Sequence, residues 1–69
     1  MNMKRFHLIK TVTAGGAVFV RHGGKHDWYK NVETGMQQAI PRHNDINEML
    51  AKSIIKKLSN DYMMGDGVV

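Results

Sequence analysis

The sequence predicts an α+β domain of order α-β-β-β-α, with a three-stranded antiparallel sheet and both helices on one of its faces. Three observations point to it. Three short strand-like runs follow one another between glycine-bearing turns, and residues 45–58 carry a clear helical apolar period. A length of 69 residues leaves room for one thin core and one domain.

Residues 3–14 predict the first helix, because Met3, Phe6, Ile9 and Val12 recur every three residues and Leu8 widens the apolar side. Gly15-Gly16 ends it, since glycine accepts the left-handed conformation of a helix C-terminus. Residues 17–22 (Ala-Val-Phe-Val-Arg-His) predict a strand, and Gly23-Gly24 is the clearest turn signal in the chain. Residues 26–31 (His-Asp-Trp-Tyr-Lys-Asn) form a second strand folded back on the first. Glu33-Thr34-Gly35 makes the next turn. Residues 36–40 form a third strand, which Pro41 ends because it has no amide hydrogen to give a ladder.

The second helix has the strongest pattern. Asp45 is the expected cap, with Glu48 completing a capping box, and Ile46, Met49, Leu50, Ile54 and Leu58 share one face. Lys52, Lys56 and Lys57 crowd the late turns, where they suit the negative end of the helix dipole. The expected core is Phe6, Ile9, Leu50, Ile54 and Leu58. Residues 60–69 show no clean period and read as a C-terminal tail, so the domain spans 1–59. One sheet with two helices on one face is the layout of a double-stranded RNA-binding domain, and it leaves the other sheet face open.

Composition narrows the function. The chain has no cysteine, which excludes disulfides and thiolate metal sites, and no apolar run nears the roughly 20 residues of a membrane helix. A cytoplasmic protein without membrane contact is expected. The net charge of +4 points to an anionic partner, with nucleic acid first and an acidic protein second. The four histidines, at 7, 22, 26 and 43, include no pair at helical ligand spacing, and no metal or other cofactor is expected. No phosphate-binding loop or serine-nucleophile pattern occurs.

His26 stands out among the remaining candidates. It follows the Gly23-Gly24-Lys25 turn at the start of a strand, so alternation puts His26, Trp28 and Lys30 on one face and Asp27, Tyr29 and Asn31 on the other. If the first set faces outward, it joins an imidazole, an aromatic platform and an ammonium. Cleavage of RNA by its own 2′-hydroxyl needs such groups: a base for the hydroxyl proton, a cation for the phosphate and a ring for an unpaired base. The residues alone leave a second reading open, with Trp28 in the core and His26 merely solvated.

The run Gly16-Ala17-Val18-Phe19-Val20-Arg21-His22-Gly23-Gly24-Lys25-His26 resembles the signature of the HicA toxin family. There a glycine ending a helix leads into an aromatic-x-Leu-Val-Arg strand and a short turn, usually Gly-Ser-His. Ile40-Pro41-Arg42-His43 is similar to the family's Val-Pro-Arg-His, and residues 51–58 resemble its closing helix. The resemblance covers about residues 3–58 in the right order and spacing. Lys25 replaces the customary serine, Ala17 replaces the aromatic, and Asp27 stands where many members have a second histidine. That carboxylate would favour a protonated His26 or repel phosphate.

The resemblance implies the toxin of a type II toxin–antitoxin pair, a metal-independent endoribonuclease that cleaves mRNA and is silenced by a HicB-type antitoxin protein. It implies His26 as the catalytic residue. Lys25, Trp28, Lys30, Arg42 and His43 are the expected RNA-binding residues, with His43 the rival for the catalytic role. The alternative is a small basic domain that binds RNA or a protein partner without catalysis.

Overall fold

The expected meander and both helices are present, together with a short ribbon that the sequence pattern does not announce. The computed structural model describes residues 2–59. The order is β1 (Asn2–Lys4), α1 (Arg5–Ala14), β2 (Ala17–Gly23), β3 (His26–Asn31), β4 (Gln37–Pro41), β5 (Asp45–Asn47) and α2 (Glu48–Leu58). Strands β2, β3 and β4 form an antiparallel sheet with β3 in the middle, while β1 and β5 pair separately. The turn before β3 needs a left-handed residue, and Gly24 takes it with φ of 58°. The expected tail, residues 60–69, lies outside the described residues.

Both helices cover one face of the sheet. Along β3, Asp27, Tyr29 and Asn31 are buried while His26 and Lys30 are exposed, as strand alternation requires. Ala17 and Ile40 join Tyr29 from the flanking strands, and Leu8, Val12, Ala51, Ile54, Ile55 and Leu58 meet them from the helices. The fold is α+β with a three-stranded sheet and two helices on one side of it.

The expected core needs two corrections. Phe6 is 62% exposed and Leu50 41% exposed. A strict three-residue repeat drifts around a helix of 3.6 residues per turn, so the buried face of α1 is Leu8 and Val12, with Ile9 packed at its margin. Met3 lies in β1 and is no part of that helix. In α2 the same geometry selects Ala51, Ile54, Ile55 and Leu58, and turns Leu50 and Met49 outward.

The expected cap is also displaced. Asp45 lies in β5 and pairs with Lys4 across the ribbon at 2.8 Å, while Asn47 caps α2. The Asn47 side-chain oxygen accepts from the amides of Met49 at 2.9 Å and Leu50 at 3.3 Å. Asp45 and Ile46 thus pass from the expected helix to a strand, where Met3 and Ile46 pair and Ile46 is buried.

The ribbon ties the starts of the two helices to each other, and because it is antiparallel α1 leaves from one of its ends and α2 from the other. Asn31 ties their far ends. Its buried amide nitrogen donates to the carbonyls of Leu58 at 2.8 Å and Gly15 at 3.2 Å. Its oxygen accepts from the backbone of Glu33 and Thr34, which fixes the β3–β4 turn. The C-terminal ends of both helices are therefore held by one side chain, and the opposite face of the sheet stays uncovered among the described residues.

Candidate functional site

The uncovered face is built from alternate residues of three strands. His26, Trp28 and Lys30 project from β3, flanked by Gln37, Ala39 and Pro41 of β4 and by Val18, Arg21 and Gly23 of β2. Asp27 is the only acidic residue in these strands, and it points to the helix side. The open face thus carries His26, Arg21 and Lys30 with no carboxylate among them. No pocket opens among the described residues, so any ligand lies along a surface.

One irregularity determines which basic residues appear there. The register of β2 against β3 shifts between Phe19 and Arg21, leaving Val20 as the extra residue of a bulge. Before the bulge Phe19 faces Tyr29; after it Arg21 faces Trp28 and His22 faces Asp27. An unbroken register would put Arg21 opposite Asp27 and His22 opposite His26. The bulge exchanges them. Arg21 lies with its guanidinium carbon 5.5 Å from the centre of the Trp28 ring, on the open face.

On the helix side Asp27 gathers three cationic or ionisable groups. Arg5 donates to Oδ2 at 2.7 Å, Arg42 donates to Oδ1 at 3.0 Å, and Nδ1 of His22 lies 2.7 Å from Oδ1. An ionised carboxylate only accepts, so we assign the proton of that last contact to Nδ1. Hydrogen bonding from His22 first, then that from Arg42 and the charges of both, holds the Asp27 carboxyl below its ordinary pKa, against the opposing effect of desolvation. Arg5 also donates to the Pro41 carbonyl at 2.8 Å, so one cluster joins the first turn of α1 to the ends of β3 and β4. The Asp27 carboxylate is spent there and turned away from His26.

A family model described as "HicA toxin of bacterial toxin-antitoxin" matches residues 7–59, well over half of the chain. The chain belongs to the HicA toxin family. No curated protein and no solved structure matches it. The HicA match runs from the first turn of α1 to the residue after α2, so it takes in the whole sheet, both of its turns and all the sequence-predicted site residues.

Those residues divide into two groups within the HicA fold. His26, Trp28 and Lys30 share the open face: His26 and Lys30 are exposed, and Trp28 is half-buried beneath Arg21. Lys25 is exposed in the turn beside them. Arg42 instead sits with Asp27 at the helix-side cluster, and His43 is exposed in the segment between β4 and β5. Arg5, His22 and Arg21 have defined partners in these clusters that sequence reasoning did not assign. Arg21 was visible in the Val-Arg of the family signature, but the face it occupies depends on a bulge that alternation does not reveal.

Proposed function

We propose that this protein is a metal-independent endoribonuclease that cleaves mRNA, with His26 as its general acid–base residue. The observation that carries the reading is the exposed His26 at the edge of a basic, carboxylate-free sheet face that also holds an aromatic ring, in a chain of the HicA toxin family. The imidazole takes the proton of a ribose 2′-hydroxyl as the 2′-oxygen attacks phosphorus. The bond from phosphorus to the 5′-oxygen breaks, and that oxygen takes a proton from solvent. The products are a 2′,3′-cyclic phosphate, later opened by water, and a free 5′-hydroxyl.

Lys25 and Lys30 neutralise phosphate charge along the face and Trp28 stacks on a base. His43, exposed past Pro41, holds RNA that runs past the strand end, and Arg42, although paired with Asp27, adds its charge to that edge. A HicB-type antitoxin with acidic patches silences the toxin by covering the same basic face, in the cytoplasm. The test is to incubate the purified protein with RNA in EDTA and analyse the ends. Fragments ending in cyclic phosphate, or its opened monophosphate, support the reading, and intact RNA contradicts it.

A further inference from the structure

We infer that Arg21 and Trp28 form a subsite for one unpaired nucleotide, which makes single-stranded RNA the substrate of the face; the inference rests on the ribonuclease reading above. Three features of the fold converge on this pair. The bulge at Val20 brings Arg21 to the open face, opposite Trp28. Gly23 supplies the space for the ring: a Cβ there would stand 2.9 Å from both Cδ1 and Nε1 of Trp28, so any larger residue displaces the indole. Gly23 in turn pairs directly with His26, and Trp28 follows His26 two residues along the same face of β3.

The charge state of the pair matters as much as its place. Arg5 and Arg42 are engaged by Asp27, whereas Arg21 makes no ion pair among the described residues. Its guanidinium, over the Trp28 ring, keeps its donors for a phosphate. A guanidinium lying over an aromatic ring on an exposed sheet offers a planar, cationic surface to a base that has left its stack. A base held in a duplex presents only its edges and cannot lie on it. Among the described residues the face also has no pocket and no acidic residue projecting from its strands, which suits an extended polyanion. Arg21 is thus a binding residue, and Gly23 and the Val20 bulge position it and its partner.

Trp28 is the sole tryptophan, so its fluorescence reports on the subsite directly. The experiment titrates wild-type protein, Arg21→Gln, Arg21→Lys and Gly23→Ala with a 2′-O-methyl RNA oligonucleotide that cannot be cleaved, as a single strand and as a fully paired duplex. Cleavage of ordinary RNA is followed in parallel. Expected are quenching by the single strand and not by the duplex, and affinity lowered roughly 5- to 150-fold in Arg21→Gln and Gly23→Ala, the range of a lost base stack. The salt slope of Arg21→Gln should fall by about 0.7, one phosphate on a single strand. Arg21→Lys keeps the charge and should restore the slope but not the quenching. Cleavage by Arg21→Gln should show a raised KM with kcat nearly kept. Equal quenching by duplex, or an Arg21→Gln variant that binds as wild type does, overturns the subsite while wild-type cleavage leaves the ribonuclease reading standing. A wild-type protein that neither binds nor cleaves RNA overturns both.

Discussion

Arg5, the first residue of α1, donates a 2.7 Å hydrogen bond to Asp27 in the middle strand, and the bond closes a circuit between helix, sheet and strand end. The same guanidinium reaches the Pro41 carbonyl, so the orientation of α1 and the exit of β4 depend on one side chain. Asp27 is mostly buried, and removing its charge leaves Arg5 and Arg42 without their shared counterion.

Asp27→Asn is therefore expected to lower the melting temperature at neutral pH. The sign of its pH dependence follows from the lowered Asp27 pKa. A carboxylate with a depressed folded value adds stability that is complete above its unfolded value of about 3.9 and is lost as pH falls through the folded value. The gap between wild type and Asp27→Asn should stay constant from neutral pH to about pH 5 and close below about pH 4. Thermal melts across that range check it; a gap that widens in acid contradicts it.

Asn31 is the counterpart of Asp27 at the other end of the domain. Asn31→Ala strips donors from two buried carbonyls and an acceptor from two turn amides, and should cost at least about 2 kcal/mol in denaturant unfolding. Asn31→Asp should be worse at neutral pH and partly recover in acid, because only a protonated carboxyl can donate to those carbonyls. Equal stability of Asn31→Asp and wild type at pH 7 would mean that the helix ends are not held through this side chain.

Ile54 and Leu50, four residues apart, differ sharply in burial. Ile54→Ala removes a fully buried side chain and should cost about 2–5 kcal/mol, whereas Leu50→Ala should cost below about 1 kcal/mol. Urea unfolding of the two variants checks the helix phase, and the reverse order would place α2 with its other side on the sheet.

The meander was legible because its signals are local. Gly23-Gly24 and Gly35 mark its two turns, and strict alternation in residues 26–31 separates Asp27, Tyr29 and Asn31 from His26, Trp28 and Lys30. The ribbon was not, because three-residue strands carry no period and Met3 continues the apolar spacing of the helix that follows it. The α1 face was misjudged for a related reason: the helix is weakly amphipathic, and Phe6 fits a three-residue repeat although Leu8 and Val12 hold the buried positions. Of the candidate site, the grouping of His26 with Trp28 and Lys30 could be read from alternation, but which of the two sets faces outward could not, because both contain an aromatic ring and polar residues. The Asp27 cluster and the position of Arg21 could not, since both depend on pairing partners far apart in sequence and on a bulge that reverses the facing of β2.

The open face should behave as a phosphate-binding surface. Lys30→Gln and Lys25→Gln should weaken RNA binding and each lower the salt slope by about 0.7. Lys56→Gln, on the helix side of the fold, should leave the slope unchanged. Binding measured from low to physiological salt distinguishes them, and a salt-insensitive affinity would point to a protein as the ligand of the basic face.

Cleavage of RNA in EDTA by wild type, His26→Ala and His43→Ala tests the central claim most directly. His26 is exposed at the end of a glycine turn, so its removal should leave the melting temperature nearly unchanged. The account predicts that His26→Ala loses about 10²- to 10⁴-fold in cleavage rate, the usual contribution of a general acid–base group, while His43→Ala retains most of its activity. Cleavage by His26→Ala at the wild-type rate, with the fold intact, would contradict it.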